Sequence, residues 1–137
     1  MNRLELLVKK LDLSPHPEGG YYKETYRCKE EISEDNLSKY FSGVRSVSTA
    51  IYFLLKSDNF SAFHKINQDE IWHFHEGSSI IIHQISPEGN YSNCTLGTDI
   101  VNNEKFQHVV PAGYWFSAAV TEKNSYGLVG CTVAPGF

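Results

Sequence analysis

Apolar and polar positions along the chain change period once. Leu4, Leu7, Val8 and Leu11 recur at helical spacing over residues 2 to 11, with Lys9 and Lys10 in the last turn where cations suit the dipole. This predicts one short amphipathic helix. The run from Leu13 to Gly20 holds two prolines and two glycines, so regular structure breaks there before a strand over Tyr21 to Arg27. Residues 29 to 43 are polar and acidic and read as an exposed, mobile loop.

From residue 46 the period is that of strands. β-rich runs are expected at Val47 to Leu55, Ser61 to Ile66, Glu70 to His75, Ile80 to Ser86, Ser92 to Gly97, Phe106 to Val110, Trp115 to Val120 and Gly127 to Val133. Turn sequences such as Glu76-Gly77-Ser78-Ser79 and Pro87-Glu88-Gly89-Asn90 separate them. Many short strands with one helix indicate an all-β sandwich or barrel. No repeat or linker divides the chain, so one domain over residues 1 to 137 is expected.

Composition narrows the function classes. The chain is 41% hydrophobic and 20% charged, a balance that folds without a partner. A net charge of -4 with scattered basic residues argues against nucleic acid as a partner. Cys28, Cys94 and Cys131 are too widely spaced for a zinc motif and read as free thiols. No signal peptide or membrane span is evident, which makes the cytoplasm the default location.

The most informative stretch runs from Phe63 to Gly77. It resembles the first cupin motif, in which strand histidines and a glutamate face a barrel interior and a glycine follows. Six residues separate Glu70 from Gly77, as in that motif, and five separate His64 from Glu70. The motif's first histidine would fall near Ala62 and is absent. The second motif, Pro-x-Gly-x-x-His, appears as Pro111-Ala112-Gly113-Tyr114-Trp115-Phe116, with phenylalanine where the last metal-binding histidine would stand.

His16-Pro17-Glu18-Gly19-Gly20-Tyr21-Tyr22, the Asp69 to Gly77 segment, Val110-Pro111-Ala112-Gly113 with Trp115, and Gly130 to Phe137 together look like a small uncharacterised cupin family. The resemblance implies a cupin-type double-stranded β-helix, a jelly-roll barrel with a short N-terminal helix, and a homodimer. It implies a pocket for a small polar or carbohydrate-like ligand, with His64 and Glu70 as anchors among Tyr22, Glu24, Trp72, Phe74, Trp115 and Phe116.

Two catalytic alternatives stand beside ligand binding. Segments around Gly19 to Thr25 and Ala62 to His64 are also similar to sugar-nucleotide 3,5-epimerases, which implies His64 as a base and Tyr126 or Tyr22 as proton donor. The other alternative is a cupin enzyme with a divalent metal on His64 and Glu70, although two ligands fall short of the usual three or four. His73 and His75 point to the face opposite Glu70, Trp72 and Phe74, and read as a packed or dimer-facing pair. Ser/His/Asp hydrolysis and phosphate-loop chemistry have no motif.

Overall fold

The computed structural model describes residues 1–59 and 61–137. Helix α1 spans Arg3–Lys10, opened by a capping box in which Asn2 and Glu5 satisfy each other's backbone amides. Strands β1 (Ser14–Pro15) and β2 (Tyr21–Arg27) follow, then β3 (Glu31–Ile32), β4 (Arg45–Ser46) and β5 (Thr49–Lys56). The second half contains β6 (Asp69–Gly77), β7 (Ile80–Ile85), β8 (Tyr91–Leu96), β9 (Gln107–Val110), β10 (Trp115–Val120) and β11 (Tyr126–Ala134).

A six-stranded sheet in the order β1-β2-β5-β11-β6-β9 faces a three-stranded sheet in the order β10-β7-β8, and all named pairings are antiparallel. This is the all-β sandwich expected from the strand spacing, in the jelly-roll form that the cupin resemblance implies. Period two decides which residues meet between the sheets. Phe53 on β5 pairs with Val129 on β11, which pairs with Phe74 on β6; Ile51, Cys131 and Trp72 align in the same way one step along. These inward residues join Ile80, Ile82, Leu96, Phe116 and Ala118 in the inter-sheet core.

The outer face of the large sheet carries a second apolar cluster, where Leu7 and Leu13 cover Leu54 and Leu128. Burying α1's apolar stripe here stabilises a helix too short to persist alone. Arg3 holds Glu76 through Nε and Nη2 at 3.0 and 2.8 Å, and the Tyr126 hydroxyl donates to the same carboxylate at 2.7 Å. The Arg3 guanidinium, and then the Tyr126 hydroxyl, pull the Glu76 carboxyl down to about 2.

Three expectations need correction. Ser61 to Ile66 is not a regular strand; it lies along β10 through a single bridge, His64 with Phe116, flanked by the Ser61 amide donating to the Ala118 carbonyl. Residues 29 to 43 are not simply an open loop, since β3 pairs with β4 across them and a 3-10 turn spans Glu34–Asn36. The run at Val47 to Leu55 starts later than expected, as β5 at Thr49, with the separate strand β4 ending just before it at Ser46. In addition, β6 carries a bulge: Leu128 pairs with Glu76 and Val129 with Phe74, leaving His75 as the extra residue.

The β1–β2 turn is tied back on itself, with the His16 amide donating to the Gly20 carbonyl and the Gly19 amide to that of His16. Gly20 has φ +76°, and a Cβ there would lie 2.5 Å from the Leu54 carbonyl oxygen of a fully buried strand residue. Gly89 has a similar φ of +89° with open space around it. Gly20→Ala is therefore expected to cost about 3 kcal/mol, against about 1 kcal/mol for Gly89→Ala. Urea denaturation of the two variants checks this, and equal losses would contradict it.

Candidate functional site

Between the sheets lies a cavity of about 250 Å³, lined by His16, Glu18, Ile51, Phe53, Ser61, His64, Ile66, Glu70, Trp72, Phe116, Cys131 and Phe137. Alternation along β6 turns Glu70 and Trp72 inward, while Cys131 comes from the adjacent position on β11. From the opposite sheet Phe116 faces them, and its backbone exchanges both hydrogen bonds with His64, N to O at 3.0 and 2.8 Å. His64 therefore reaches the cavity beside the small sheet and Glu70 from the large one.

Glu70 is only 8% exposed. Its Oε1 accepts the Trp72 indole N–H at 2.8 Å. Burial raises its carboxyl to about 7, with the Trp72 hydrogen bond pulling weakly the other way. The carboxyl thus titrates near neutral pH. Cys131 beside it is held as a thiol, because burial and then the Glu70 charge push its pKa well up.

His64 has its Nδ1 2.9 Å from the Ala62 carbonyl, which can only accept, so Nδ1 carries a proton and in the neutral ring Nε2 is the acceptor. The same Nδ1 lies 3.9 Å from Glu18, and the ring packs 4.3 Å from that of Phe116. His16 is the complementary case. Its Nδ1 accepts the Glu18 amide at 3.0 Å, so in the neutral ring Nε2 bears the proton. Burial lowers the His16 pKa, with Glu18 opposing. One histidine offers the cavity an acceptor and the other a donor.

His64, Glu70, Trp72 and Phe116 are therefore brought together as the sequence suggested. The remaining candidates are not in the lining. Phe74 packs against the core cluster, and so does Tyr22, whose ring centroid is 4.9 Å from that of His16. Glu24 sits exposed in an ion pair with Arg27 at 2.6 Å. Trp115 is 45% exposed beneath Lys65, because it neighbours inward-facing Phe116 on one strand and points the opposite way. Tyr126 belongs to the Glu76 cluster under α1, on the other face of the large sheet, so it cannot return a proton in this cavity.

His16, Glu18, Cys131 and Ser61 were not singled out as site residues from sequence. The two-proline, two-glycine turn was visible, but not the direction in which it folds back. The metal reading fits poorly: among the described residues no group of three or more His, Cys, Asp or Glu side chains is arranged to hold an ion, and the position of a third ligand is the buried Phe116 ring. His73 donates to or accepts from Thr132 Oγ1 at 3.1 Å, His75 packs on Tyr52, and His83 meets Tyr91 at 2.6 Å on the other sheet. Among the described residues, no helix is long and apolar enough to cross a membrane.

Comparison with known proteins bears on fold and family. The chain is 31% identical to "Uncharacterized protein YML079W" of Saccharomyces cerevisiae, covering 98% of this chain and 71% of that protein. Among solved structures, protein SO0799 from Shewanella oneidensis superposes with a TM-score of 0.87 at 37% identity, over 100% of this chain and 80% of that one. A hypothetical protein from Leishmania major gives 0.87 at 32%, over 99% and 83%. Oxalate decarboxylase from Bacillus subtilis, at 16% identity and a TM-score of 0.61, over 92% of this chain and 28% of that one, shares the fold alone. The family model described as Cupin superfamily (DUF985) matches residues 5–137, and the chain belongs to that family.

Proposed function

We propose that the protein binds a small polar or carbohydrate-like molecule in the cavity between its sheets. The observation that carries this reading is a buried carboxyl, Glu70, opening with His64 into a space walled mainly by apolar and aromatic side chains. Apolar walls with a few convergent polar groups are the usual composition of a small-molecule site, and 250 Å³ suits a small occupant.

A second reading is proton transfer next to a carbonyl, favoured by His64 and Glu70 reaching one cavity from opposite sheets. A neutral His64 with its Nδ1 proton on the Ala62 carbonyl can take a proton from carbon at Nε2, and Glu70, raised to about 7, can supply one from the facing sheet. Glu70 takes the donor role that the resemblance assigns to Tyr126 or Tyr22. After one cycle His64 holds the abstracted proton and Glu70 lacks one, and exchange with water restores both. Among the described residues no lysine or arginine lines the cavity to neutralise a diphosphate, so this reading favours a substrate without one.

Binding is checked by thermal shift and calorimetry against neutral sugars, sugar acids and amino sugars. A ligand should bind at least 10-fold more weakly to His64→Ala and Glu70→Gln than to the parent protein. Incorporation of solvent deuterium into the bound carbonyl compound, lost in His64→Ala, would extend the reading to catalysis. Undiminished affinity in both variants would contradict it.

The raised Glu70 carboxyl also makes stability depend on pH. Between the ordinary value of 4.5 and about 7 the folded state binds the proton that the unfolded state has lost, so stability falls as pH rises through this window. The loss amounts to about 3 kcal/mol. His16, His75 and His108, all lowered by burial, slope the other way, so the comparison must be between variants. From pH 4 to pH 8, Glu70→Gln should gain about 3 kcal/mol relative to the parent in urea denaturation. Parallel pH profiles would show that Glu70 ionises normally.

A further inference from the structure

Charge is the least balanced feature of the cavity. Among the described residues its lining holds two carboxyl groups, Glu18 and Glu70, and no lysine or arginine. The basic side chains present are His16 and His64, and burial disfavours the charged form of His16. Among the described residues, Trp72 is the sole side-chain donor to Glu70, and it occupies Oε1. No sealed side-chain polar atom is left without a partner there, so Oε2 is open to the cavity rather than enclosed in protein. A carboxylate this buried normally has a cation beside it. Here the space where one would sit is the cavity itself.

The walls point the same way. The Phe53 and Trp72 rings lie 6.1 Å apart at 79°, and those of Trp72 and Phe116 lie 6.3 Å apart at 88°. Phe53 and Phe116 thus each stand nearly perpendicular to the Trp72 ring, whose N–H is bonded to Glu70, and all three rings line the cavity. Aromatic faces carry negative potential and attract cations, most strongly where water is excluded. A metal ion would gain little from such walls and lacks a donor set here, whereas an organic cation is matched by both the rings and the carboxylate. An anionic ligand would meet two carboxylates without a compensating cation.

We propose that the cavity selects a small molecule bearing an organic cation, an ammonium or other protonated amine, held against Glu70 Oε2 and enclosed by Phe53, Trp72 and Phe116. This rests on the ligand-binding reading above and specifies the charge of the ligand. The Trp72 indole orients the carboxylate, while His16 and His64 supply a donor and an acceptor for the polar remainder of the molecule.

Matched pairs of probes test it by calorimetry on the full chain: choline against its neutral isostere 3,3-dimethylbutan-1-ol, and glucosamine against glucose. The cationic member of at least one pair should bind at least 10-fold more tightly than its neutral partner. Glu70→Gln, which keeps the acceptor for Trp72, should erase that preference while circular dichroism stays unchanged. Phe116→Leu, a second variant, should weaken the cation more than the neutral probe. Equal binding within both pairs, a preference that survives Glu70→Gln, or displacement of the cation by micromolar Mn²⁺ or Zn²⁺ bound at Glu70 would overturn the proposal. If neutral sugars or sugar acids bind and neither cation does, the cation assignment falls and the ligand-binding reading stands. If no probe or member of a broad fragment panel binds, both fall.

Discussion

The burial of Glu70 between two sheets is the constraint from which the rest of the site follows. A carboxylate in an apolar sandwich must find a hydrogen bond, a counter-charge or a proton. It has one strong hydrogen bond, from Trp72, and among the described residues no lysine or arginine in the lining, so without a bound cation the proton is the balancing element. The same alternation that turns Glu70 inward also turns Trp72 inward and puts His73 outside, so a change of register would dismantle core and site together. Fold and chemistry are in this sense one arrangement on β6.

The cavity is completed by parts that are not regular strands. His64 is carried by a segment joined to β10 through a single bridge, and His16 and Glu18 by a turn closed on Gly20. Such segments supply functional groups while the sheets supply rigid support. The opposite side of the large sheet is a separate structure, where the Arg3, Glu76 and Tyr126 cluster fastens α1 over Leu54 and Leu128. The two faces share strands but not chemistry.

Much of this was legible in the chain. Alternation located most strands and put Glu70 and Trp72 on one face, and the spacing from Glu70 to Gly77 with phenylalanine at position 116 marked a cupin whose metal set is incomplete. Trp115 and Phe116 could not both line a pocket, since neighbours on a strand point to opposite faces, and that rule applied to β10 as much as to β6. Tyr126 was misplaced because its face depends on the register of β11, and Phe74 shares the inner face without reaching the cavity. His16 could not be read from local sequence at all. Its position depends on a left-handed glycine letting the turn press against Leu54, a contact set by the folded sheet.

The charge state of Glu70 is the central claim, and a carbon-13 NMR titration of the glutamate side-chain carboxyls measures it directly. The account predicts one carboxyl resonance, absent in Glu70→Gln, with a midpoint near 7 and well separated from the exposed glutamates. A Glu70 midpoint at the ordinary value near 4.5 would contradict it.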